Sequence, residues 1–170
     1  MMRHATASFL AAVLVSLSSM HAPLQASQGL SIEPAAACTA LRDFRLDAGA
    51  YRPADGGRYQ CRSRRLRLPQ GAPLRNEIRY VAYGGAERVE RLELQLDLFG
   101  RREMQATLQR MLQYAESLAN TLLDRALGQE ITNTLLAAGS GEWDLDGGRV
   151  RLLRNTATGS QGFRYTLILD

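Results

Sequence analysis

The hydrophobic period of this chain changes once in mid-sequence, and that change constrains the fold more than any other feature. Leu92, Leu94, Leu96 and Leu98 alternate with Arg91, Glu93, Gln95 and Asp97. A period of two puts four leucines on the core face of a strand and the polar set in solvent. One wet face argues for an antiparallel sheet. From Met104 the period becomes helical. Met104, Leu108, Met111, Ala115, Leu118, Leu122 and Ala126 recur at steps of three and four, and Leu112, Ala119 and Leu123 widen the stripe. This pattern predicts a long amphipathic helix over 103–127.

The flanking segments complete the expected order. Glu33-Pro34 opens a helical stretch in which Cys38, Leu41 and Phe44 share a face, and Gly49 ends it. Strands are expected over 59–68 and 78–83. A short helix over 130–138 follows Gly128, and Gly139-Ser140-Gly141 breaks it. A hairpin is then expected, with 143–145 and 149–153 flanking Asp146-Gly147-Gly148. The last strand carries Phe163, Tyr165, Leu167 and Leu169 on one face. The fold class is therefore α+β: an antiparallel sheet of about five strands packed on one long helix, with an N-terminal helix and a short second helix. This element order is similar to that of type III secretion chaperones, although no motif accompanies it and the export signal argues against a cytosolic chaperone.

Met1 to Ala26 reads as a secretory signal. Arg3 supplies the positive start, residues 9–17 the apolar core, and Leu24-Gln25-Ala26 the cleavage site. That core is too short to remain as a membrane span. Residues 27–31 are expected as a flexible lead-in and 32–170 as a single α+β domain. Export places the protein in the periplasm or outside the cell. There, the two cysteines, Cys38 and Cys61, are expected to form a disulfide. Removing Arg3 with the signal takes the formal charge from +4 to +3, an ordinary value for a soluble surface.

Composition narrows the chemistry. Both histidines, His4 and His21, lie in the expected signal, and every basic residue apart from them is arginine. The mature chain thus lacks the usual general base, imidazole ligand and amine nucleophile. No cofactor or metal site is expected, since two cysteines without histidine do not complete a zinc shell. Carboxylates remain: Glu142, Asp144 and Asp146 cluster beside Trp143, and paired carboxylates perform glycoside hydrolysis. Turn preferences account for the same residues.

Two surfaces stand out instead. Arg62, Arg64, Arg65 and Arg67 form the densest charge cluster, and arginine forks suit phosphate, sulfate or carboxylate. On one continuous strand they would point to both faces, and edge protection by charge would explain them equally. The outer face of the long helix carries neutral residues, among them Gln109, Gln113 and Asn120, which are cheaper to desolvate against a partner than charges. The sequence therefore points to a small exported, non-enzymatic binding or accessory protein acting through an envelope or extracellular protein. The alternatives are an arginine-dependent binder of an anionic envelope ligand and a carboxylate-based hydrolase. Neither nucleic acid nor a permanent membrane span is expected.

Overall fold

The computed structural model describes residues 30–68, 75–99, 102–145, 147–156 and 162–170. The expected signal and Asp146 lie outside them. Three α-helices and eight strands are described: α1 Pro34–Thr39, β1 Arg52–Pro53, β2 Tyr59–Arg62, β3 Leu66–Arg67, β4 Glu77–Gly84, β5 Val89–Leu98, α2 Met104–Leu123, α3 Gln129–Leu136, β6 Gly141–Leu145, β7 Gly148–Thr156 and β8 Phe163–Leu169. All pairings are antiparallel, in the order β1-β2-β4-β5-β8-β7-β6. β3 also pairs with β4, in line with β2. The mixed class and the antiparallel sheet agree with the sequence reading. The expected count of about five strands does not. The segment 59–68 divides into β2 and β3, and the two-residue β1 exists only through its pairing with β2.

One apolar cluster unites the helices with one face of the sheet. Leu92, Leu94, Leu96 and Leu98 point into it, at 2% exposure or less. Ile78, Tyr80 and Ala82 join from β4, Val150 and Leu152 from β7, and Tyr165, Leu167 and Leu169 from β8. α2 contributes Leu108, Met111, Ala115 and Leu118, the stripe read from its sequence. α2 stops four residues earlier than expected. Asp124 adopts a left-handed conformation (φ 50°) and its N–H bonds Ala119 O, which closes the last turn. Gly84 marks a bulge against β5, where the backbone comes so close that a Cβ would meet Arg88 O at 2.1 Å.

The N-terminal part is pinned to the sheet. Leu30, within the expected lead-in, is buried at 8% exposure, and Ile32 exchanges backbone bonds with Val89 of 3.0 and 2.9 Å. α1 ends at Thr39, and after a 3-10 turn at Arg42–Phe44 the chain turns left-handed at Arg45. The Cys38–Cys61 disulfide joins α1 to β2. Glu33 caps α1, its carboxylate accepting from Ala35 N at 3.0 Å and Ala36 N at 2.7 Å.

Those N–H groups, Ala35 first, hold the Glu33 carboxyl below the ordinary glutamate range. A depressed folded-state value means that the contribution is complete above the unfolded value. It is lost as pH falls through the folded one. Glu33→Gln should therefore be less stable than the parent at neutral pH and converge with it in acid, once the pH falls below the depressed folded-state value. Urea midpoints across pH test this, and a gap that stays constant into acid would refute it.

Candidate functional site

The helices occupy one face of the sheet. The other face is built from the polar half of the same alternation. On β5 it presents Arg91, Glu93, Gln95 and Asp97. Register aligns these residues with neighbours in rows. One row runs Arg67, Glu77, Asp97, Arg164. The next runs Arg79, Gln95, Thr166, Leu153. A third runs Arg62, Val81, Glu93, Ile168, Arg151, Glu142.

This face departs from the solvated surface expected of it. Glu93 and Asp97 are only 7% and 5% exposed. Val81 and Ile168, between the arginine rows, are also buried and lie outside the main apolar cluster. Arginine stems flank them, and such stems cover apolar surface while the guanidinium stays wet.

The carboxylates of this face are fully engaged. Asp97 takes a two-pronged grip from Arg164, Nε at 2.6 Å and Nη2 at 3.1 Å, and a further bond from Arg65. Hydrogen bonding to Asp97 raises the Arg164 guanidinium above its ordinary range. Glu77 meets Arg67 at 3.4 Å and Arg65 at 3.5 Å. Glu93 meets Arg91 at 2.5 Å and accepts from Gln95 Nε2 at 2.7 Å.

Arg79 is the exception. It lies half-buried in β4 and donates to the neutral Oε1 of Gln95. Its Nε is shielded and has no acceptor among the described residues. Burial first, then the like charges of Arg65 and Arg62, hold its guanidinium below the ordinary arginine range.

The expected arginine cluster is partly assembled here. Arg62 and Arg67 share the open face by register, and Arg65 joins them through Asp97. The expectation that the four residues divide between both faces of one strand is corrected for these three. Residues 63–65 are irregular and shift the alternation by one. Ser63 causes this locally: its N–H bonds Tyr80 O at 2.9 Å, and its hydroxyl accepts from Tyr80 N at 3.0 Å, replacing a backbone carbonyl. Arg64 is exposed within the break. Neither it nor Arg62 forms an ion pair among the described residues.

The remaining candidates lie on α2 and on the edge strand β6. Gln109, Gln113 and Asn120 are exposed on α2, and Gln113 accepts from Arg110 at 3.2 Å. Glu142 and Asp144 are 54% and 85% exposed and share one guanidinium, that of Arg149, at 2.9 and 3.1 Å. Trp143 points the other way and packs on the apolar cluster, so it forms no platform beside them. Among the described residues no set of three or more acidic, cysteine or histidine side chains is placed to hold a metal, and no helix is long and apolar enough to cross a membrane. Sequence reading missed Arg79 and Gln95. The available signal was a lone charge inside the apolar run Ile78-Arg79-Tyr80-Val81-Ala82.

Compared with protein-family models, curated proteins and solved structures, the chain gives no match.

Proposed function

We propose that this is a small exported binding module, acting without catalysis, that holds an anionic group of an envelope ligand on the open face of its sheet. The supporting observation is Arg79, a half-buried guanidinium that has no carboxylate partner among the described residues, on a face where each neighbouring carboxylate is engaged by another arginine. Export rests on the segment Met1–Ala26, and the Cys38–Cys61 bridge fits an oxidising compartment.

Retention of the mature protein on an anionic matrix tests the reading. It should fall between about 0.1 and 1 M salt, where the screening length contracts from roughly 10 to 3 Å. Arg62→Gln combined with Arg64→Gln should elute earlier. Both side chains are exposed and free of ion pairs among the described residues, so the fold is unaffected. Retention unchanged by salt or by this pair would count against the proposal.

The exposed, uncharged positions Gln109, Gln113 and Asn120 support a second, protein-directed reading. Arginine at Gln113 should then speed dissociation of a partner captured from envelope extract, with little effect on association.

A further inference from the structure

We propose that Arg79, with Arg62 and Arg65 beside it, forms a site for a phosphate-type dianion, an inference that rests on reading the open sheet face as an anion-binding surface.

Gln95 is central to the argument. Its Oε1 accepts from Arg79 and its Nε2 donates to Glu93. The amide therefore stands between a guanidinium and a neighbouring carboxylate. A glutamate at this position would give Arg79 an internal partner. Glutamine keeps the cation available. The other carboxylates are committed, Asp97 to Arg164 and Arg65, and Glu77 to Arg65 and Arg67.

The face is also short of acceptors. Among the described residues Arg79, Arg91 and Arg151 each have a shielded Nε without a partner. Shielded donors left unpaired are unfavourable, and an oxyanion brings the missing acceptors. Presenting Nε to a ligand requires a change of arginine rotamer about its single bonds.

Charge selects the ligand class. Among the described residues Arg62 and Arg79 have no carboxylate partner, and Arg65 divides its charge between Asp97 and Glu77. A carboxylate would neutralise one guanidinium and leave the other uncompensated. A phosphate monoester carries about −1.5 to −2 at neutral pH and three strong acceptor oxygens. Planar guanidinium forks match such a group. Burial first, and then Arg65 and Arg62, depress the Arg79 guanidinium, and a dianion among them offsets the part due to the like charges.

The test follows the arginine Nε–H resonances of the oxidised mature protein by NMR. The probes are inorganic phosphate and acetate at matched ionic strength. The Arg79 signal should move and saturate with phosphate, at least about tenfold tighter than with acetate. R79Q should weaken phosphate by at least about tenfold, as loss of a shielded charge partner does. Q95E is nearly isosteric and should cause a similar loss with the fold intact. Q95A leaves Arg79 cationic and should bind within about threefold of the parent.

Loss in Q95E together with retention in Q95A separates competition for Arg79 from damage to the sheet. Phosphate binding unchanged in R79Q or in Q95E overturns the site. If R79Q binds phosphate normally while Arg62→Gln with Arg64→Gln still loses matrix retention, the broader anionic reading stands and only this site falls. A last arm uses phosphatidylcholine vesicles containing phosphatidic acid or phosphatidylglycerol. Binding confined to phosphatidic acid assigns the monoester to a lipid headgroup. Binding of soluble phosphate without either vesicle assigns it to a soluble or polymeric ester. Preference for phosphatidylglycerol, a diester, overturns the dianion assignment.

Discussion

Leu94→Asp is expected to leave the protein unfolded under native conditions. Leu94 is fully buried in the middle of β5, with Tyr80 on one side and Leu167 on the other. Truncating a buried leucine alone costs about 2–5 kcal/mol. An aspartate adds an unpaired charge inside a cluster whose members are all hydrophobic residues. Together these approach the whole stability of a domain, about 5–15 kcal/mol. The comparison is Gln95→Asp, one position along and on the opposite face. There a carboxylate lies near Arg79, and the change should stay within about 1 kcal/mol. Far-UV circular dichroism and urea unfolding of the two variants decide the matter. Similar losses from both would mean that the two faces of β5 are wrongly assigned.

Removing the disulfide is expected to cost about 3 kcal/mol by the loop-entropy relation. Cys38 and Cys61 are 3% and 2% exposed and close a loop with a sequence separation of 23. The effect should be local as well as global. α1 has six residues, too few to persist without tertiary support. Its other attachments are few: Tyr80 donates its hydroxyl to Ala37 O at 3.0 Å, and Ala48 N–H bonds Cys38 O at 3.1 Å. In a Cys38→Ala, Cys61→Ala variant the amides around α1 should exchange early, while those of β5 and β8 retain protection. Native mass spectrometry gives the prior check. The parent should be lighter than its reduced form by two hydrogens. Two free thiols in exported material, or uniform loss of protection in the variant, would contradict this account.

Much of the core was legible in the sequence because its signal is local. The leucine alternation named the buried face of β5, and Phe163, Tyr165, Leu167 and Leu169 named that of β8. The helical stripe named the face of α2 that meets the sheet. Cysteine count and an expected export signal were enough to expect the bridge. β1 was not legible, since two residues carry no period and become a strand only by pairing, and β3 was expected only as the end of one strand over 59–68. The split at Ser63 was hidden for a related reason: its hydroxyl replaces a ladder carbonyl only once Tyr80 lies alongside.

The candidate site divides in the same way. The sequence by itself determined that binding at this surface would be arginine chemistry, with no lysine and no histidine beyond the expected signal. It also determined which face of each central strand would be polar. Only the tertiary structure decided which arginines are satisfied. Arg164 reaches Asp97 across 67 positions, Arg65 reaches the same carboxylate across 32, and Gln95 separates Arg79 from Glu93. Ion pairing depends on distances between strands, and those are set by register. Residue type fixes the charge, but pairing across the sheet fixes whether that charge remains available.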